Sequence, residues 1–208
     1  LWSDGVPVTA NDFVFAWRRI ANPETGAQYV SLLYPIVGVA AVSRGESPPE
    51  AIGVTAIADR PLEIRLDNPT PYLPGLLTHY TTFPLPQHIV EEFGDEWVRP
   101  ENIEVNGPYK LIDWRTNNFV HLSRNPYFYD DAASCIDEVY YYPTVDNSAA
   151  GRRVRNGELD LNMEFPGQQM EFLRREIPDY VRVHPYMGTV YFSINTTLEQ
   201  FSDPAVRN

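Results

Sequence analysis

The chain has 208 residues, 43% of them hydrophobic and 21% charged, a balance that places it among folded globular proteins and excludes a disordered one. Its formal net charge of −12 repels phosphate, so nucleic acid and anionic membrane surfaces are excluded as partners. The single cysteine, Cys135, allows no internal disulfide, and no apolar run approaches the ~20 residues that span a bilayer.

The chain opens on a W-S-D-G turn, Trp2–Gly5, in which Asp4 is expected to bond backbone N–H groups. It carries no initiator Met and no signal peptide, and Phe201–Asn208 starts a helix that stops within its first turn. Both ends read as cut, so a longer parent protein is expected. Thr9 and Asp12 form a helix-start signal, followed by Phe13, Ala16, Trp17 and Ile20 on one apolar face. Asn22-Pro23 stops that helix, and a second short one is expected over residues 27–33. Residues 40–50 are polar and Pro-rich and read as a loop. Residues 52–58 and 62–66 alternate around Asp59-Arg60-Pro61, which predicts a hairpin.

Pro69, Pro71 and Pro74 break the chain, as does Phe83–Pro86 (FPLP). A helix is predicted from Gln87 to Phe93, ended by Gly94. Asn106-Gly107-Pro108 introduces a strand over 109–114, paired with one over 119–123, and 136–142 is strongly β-prone. A helix is expected over 148–155, capped by Gly157, then a short buried strand over 159–162. An amphipathic helix over 168–176 is ended by Pro178, and strands are expected over 181–186 and 189–194. The pattern is a mixed α/β (α+β) fold. The best internal boundary lies near Pro84–Pro86, with a second near Tyr186–Gly188.

Trp17 and Trp114 are expected in the core and Cys135 as a buried spectator. Asp130-Asp131 and Glu91-Glu92 read as solvated faces. His79, His88, His121 and His184 lack close metal-ligand spacing, so no metal is expected. There is no G-x-S-x-G elbow, no phosphate-binding loop and no local motif around Cys135. Carboxylate pairs for glycoside chemistry are set in space rather than in sequence, and nothing singles one out. The expectation is a protein that catalyses nothing.

The segment W-S-D-G-x-P-V-T-A-x-D-F-V-x-x-W, Trp2–Trp17, resembles the characteristic segment of the extracytoplasmic oligopeptide-binding proteins of ABC importers, within the peptide/nickel solute-binding family. The similarity continues in order through Ala21-Asn22-Pro23 with Tyr29, Pro69–Tyr72, Phe83–Pro86 and Asn106–Leu111. It runs on through Arg124–Tyr129, Asn156–Asp160 and Ile177–Tyr186, and closes on Phe201–Arg207. It covers essentially the whole chain.

The resemblance implies a periplasmic-binding-protein-like, two-lobed fold of the larger three-domain type, truncated here at both ends. Residues 1–86 would be most of the smaller additional domain and 87–187 part of the first main lobe. Residues 188–208 would be the hinge crossing into a second main lobe that is mostly missing. The implied protein captures extended oligopeptides in a periplasmic or extracytoplasmic space and hands them to membrane permease and ATPase subunits. It needs no cofactor and works as a monomer; a lipid anchor is left open.

An extended peptide offers unpaired backbone groups that strand edges satisfy, and amphipathic aromatic walls suit varied side chains. The candidate ligand residues are Tyr29, the segment Asn162, Met163, Glu164 and Phe165, and the tyrosines Tyr186 and Tyr191. His79 is a further candidate at a cleft rim, with ordinary packing the alternative for each. The acidic residue that pairs with a peptide α-ammonium in the family lies in the second main lobe, outside this sequence. Glu164 is the nearby carboxylate to watch, and this segment alone is expected to bind ligand weakly or not at all. Nickel, haem or a glycan as ligand, or a ligand-sensing domain on the same scaffold, are the alternatives.

Overall fold

The computed structural model describes residues 1–186, 188–201 and 203. By packing they fall into two compact units, Leu1–Pro143 and Thr144–Asn208.

The first unit is organised around helix α1, Ala10–Ala21. Its start is fixed locally: the Thr9 N–H donates to the Asp12 carboxylate at 2.7 Å. Asp12 is buried and its other oxygen accepts from the Gln87 N–H at 3.4 Å, so one carboxylate ties the start of α1 to that of helix α4, Gln87–Phe93. The inner face of α1 carries Val14, Ala16, Trp17 and Ala21 into a core completed by Leu33, Ile36, Val39, Val42, Ile52 and Val54. Burying each large side chain of this set contributes roughly 1.5–3 kcal/mol.

Val39 and Val42 belong to helix α2, Val39–Ser43, which overlaps the segment 40–50 expected to be a loop. Two valines one turn apart make an apolar face only once a core stands against it. Gly38 before it has φ +81°, and a Cβ there would lie 2.7 Å from the Ala51 carbonyl oxygen, so both backbone and space require glycine. The helix expected over 27–33 is a shorter 3₁₀ turn, Val30–Leu33.

The hairpin forms as expected, from strands β1, Val54–Ala56, and β2, Leu62–Ile64. Its turn holds α1, because the Asp59 carbonyl accepts the Ala10 N–H at 2.7 Å. A four-residue helix α3, Leu73–Leu76, follows the proline breaks.

The opening turn closes as its sequence requires: the Asp4 carboxylate accepts the Val6 N–H at 2.8 Å, Gly5 takes φ +90°, and Trp2 is buried. The other Asp4 oxygen lies 2.7 Å from Nε2 of His88 on α4. Ser3 donates to Glu104 and accepts from the Val105 N–H.

Strands β3, Tyr109–Arg115, β4, Phe119–Arg124, and β5, Glu138–Tyr141, form an antiparallel meander with a bulge between Leu111 and Asp113. Here three expectations are corrected. Trp114 lies on an outer position and is half exposed, and Cys135 is exposed. Asp131 is no free solvated charge, because it accepts from both Nε and Nη2 of Arg124.

In the second unit helix α5, Asn147–Arg155, is capped by Asp146, which accepts the Ser148 N–H at 2.8 Å. Helix α6, Met170–Glu176, follows a 3₁₀ turn and buries Leu173. The strands expected over 159–162, 181–186 and 189–194 are corrected: these segments carry no strand among the described residues, and Leu161, Val190 and Phe192 are exposed. A strand exists only as a pairing, and no described segment pairs with them. The helix start expected at Phe201–Asn208 lies outside the described residues beyond Phe201 and Asp203. Among the described residues no helix is long and apolar enough to cross a membrane.

Candidate functional site

In the first unit the candidate residues Tyr29 and His79 come together. Tyr29 precedes the 3₁₀ turn Val30–Leu33, whose Leu33 is locked in the core. His79 begins the 3₁₀ turn Tyr80–Thr82. That turn is held from below: the buried indole of Trp17 donates to the Thr82 carbonyl at 2.9 Å, and the Thr82 hydroxyl donates to the carbonyls of Leu77 and His79 at 2.9 and 2.8 Å. The rings of Tyr29 and His79 pack with centroids 5.3 Å apart.

Sequence reading missed a third member, Tyr80. Its ring lies 4.2 Å from His79 and edge-on to Tyr29 at 6.1 Å. No spacing or motif marks it, because the contact depends on where the proline breaks deliver the turn. Tyr29 is 48% exposed and Tyr80 63%, so the cluster is a surface feature on a rigid base. Nδ1 of His79 accepts the Thr81 N–H at 3.3 Å. The Tyr80 phenol is held above its ordinary value, first by desolvation and then by the Tyr29 phenol beside it.

The other candidates lie in the second unit. Asn162 donates to the Glu164 carbonyl, and the Glu164 carboxylate accepts from the Asn147 amide at 3.3 Å. Met163 is largely exposed and Phe165 is half-buried. Tyr186 is 91% exposed and Tyr191 76%, so among the described residues both rings stand largely in solvent. An open cleft of about 310 Å³ in this unit is lined by Val154, Arg155, Leu159, Asp160, Ile177 and Tyr180 and includes none of the expected ligand residues. Among the described residues no three of His, Cys, Asp and Glu gather in a way that could hold a metal ion.

These tyrosine-bearing turns stand on a mixed α/β frame, and solved structures share that frame. The chain superposes on OppA of Burkholderia pseudomallei with a TM-score of 0.82 at 34% identity, covering 85% of this chain and 35% of that one. It superposes on OppA of Haemophilus influenzae, solved in complex with RPPGFSPFR, with a TM-score of 0.81 at 37% identity, over the same shares of the two chains. The fold class is therefore that of the periplasmic peptide-binding proteins.

The family model of the bacterial extracellular solute-binding proteins, family 5, matches residues 1–208, and the chain belongs to that family. It is 41% identical over 209 residues to the periplasmic oligopeptide-binding protein OppA of Salmonella typhimurium, covering 99% of this chain. The chain spans 38% of that relative's length.

Proposed function

We propose that this chain is part of the substrate-binding component of an ABC importer, capturing extended oligopeptides in a periplasmic or extracytoplasmic space. The observation that carries the reading is the 37% identical relative of the same fold that was solved holding a nonapeptide. The protein catalyses no reaction. Its ligand is passed to permease and ATPase subunits, and closure draws on contacts that the peptide makes only in the closed state.

The residues proposed to touch the peptide are Tyr29, Asn162, Met163, Glu164, Phe165, Tyr186 and Tyr191, with His79 beside Tyr29. The exposure of the three tyrosines supports this, since a large amphipathic ring left in water is available for a ligand. The lobe boundaries at residues 86 and 187 belong to the same proposal.

The test is ligand-dependent thermal stabilisation of the full-length protein with pools of di- to pentapeptides. At a ligand concentration 100-fold above Kd the stabilisation is about 2.7 kcal/mol, a readily measured rise in Tm. No shift with any pool would defeat the assignment.

A further inference from the structure

We propose that Tyr80 is a specificity-determining ligand contact, which with Tyr29 and His79 forms a three-ring wall that receives a cationic side chain of the bound peptide. The proposal rests on the peptide-binding reading above and adds both a residue and a side-chain preference to it.

The geometry comes first. Tyr80 is mostly in water although its backbone is held from both sides, by the Thr82 hydroxyl on the carbonyls of Leu77 and His79 and by the Trp17 indole on the Thr82 carbonyl. A ring so exposed contributes little to the core, yet its neighbours fix its position. The Tyr80 ring lies over the His79 ring at 31°, while Tyr29 meets Tyr80 at 84° and His79 at 56°. Rings so inclined cannot cover one another's faces completely.

The chemistry of the wall follows. Aromatic faces carry negative potential and attract ammonium and guanidinium groups. Nδ1 of the imidazole accepts the Thr81 N–H, which sets the orientation of the ring in the wall. An anionic side chain meets an unfavourable potential at the ring faces, and an aliphatic one gains contact area without the electrostatic part.

The experiment uses the full-length protein and alanine tripeptides in which each position in turn is Lys, Arg, Leu or Glu. Binding is measured by calorimetry for wild type, Tyr80→Ala and Tyr80→Phe. Wild type should favour Lys or Arg over Leu and Glu at one position. Tyr80→Ala should lose about fivefold in affinity for that cationic peptide, with trialanine changed less than twofold, and Tyr80→Phe should retain the preference because the ring face remains. Wild-type binding with an equal loss for all peptides in Tyr80→Ala, or with no loss for any, would overturn the role of Tyr80 and leave the peptide reading standing. Failure of wild type to bind any of the peptides would overturn both.

Discussion

The indole N–H of Trp17 donates to the Thr82 carbonyl at 2.9 Å, joining the middle of α1 to the turn that carries His79 and Tyr80. Trp17 is 1% exposed, so this bond is made away from water and has no solvent substitute. It converts the stability of the core into the placement of surface rings.

Trp17→Phe removes the donor, leaves the carbonyl unpaired and opens a small void. The expected cost is about 2–3 kcal/mol in a urea titration of the full-length protein. A midpoint within error of wild type would show that the bond contributes nothing.

Gly38→Ala meets two obstacles at once, the left-handed backbone at φ +81° and the Ala51 carbonyl oxygen 2.7 Å from the new Cβ. Gly26 shares the backbone requirement at φ +63° but faces open space. Gly26→Ala should therefore cost about 1 kcal/mol and Gly38→Ala clearly more, about 2–3 kcal/mol, in paired denaturant titrations. Equal costs would show that the α2 region yields to the added methyl.

α1, α4, the β1–β2 hairpin and the β3–β4 pair were legible because their signals are local: a capping pair at Thr9 and Asp12, a stop at Gly94, alternation around tight turns. α2 was not, since Val39 and Val42 acquire a buried face only from residues far away in sequence. The runs at 159–162, 181–186 and 189–194 carry β-prone side chains, but pairing is non-local and no partner stands beside them among the described residues. Tyr29 and His79 were each readable as candidates. Their meeting, and the presence of Tyr80 with them, depended on how Thr82 is anchored, which no spacing encodes.

Asp4 gives the opening turn a sensitivity to acid. Partial burial raises its carboxyl, but the hydrogen bonds from His88 and the Val6 N–H outweigh this and hold it below the ordinary aspartate value. A carboxyl depressed in the folded state stabilises fully above its unfolded pKa and loses that contribution as pH falls through the folded one. Stability should therefore decline as pH falls below about 4, and Asp4→Asn should flatten part of that decline while leaving the remainder to other carboxylates. Identical acid limbs for wild type and Asp4→Asn would remove Asp4 from the explanation.

Tyr191 is 76% exposed in this segment, so its ring contributes little to packing among the described residues. Tyr191→Ala in the full-length protein should change stability by less than about 0.5 kcal/mol while weakening peptide binding at least fivefold. Parallel losses of stability and affinity would return the residue to a packing role.

Native mass spectrometry of the full-length protein as purified tests the central claim most directly. An oligopeptide that co-purifies, or added short peptides retained as stable one-to-one complexes, is the result that peptide capture predicts. A spectrum that shows nickel, haem or a glycan bound, and no retention of any added peptide, would contradict it.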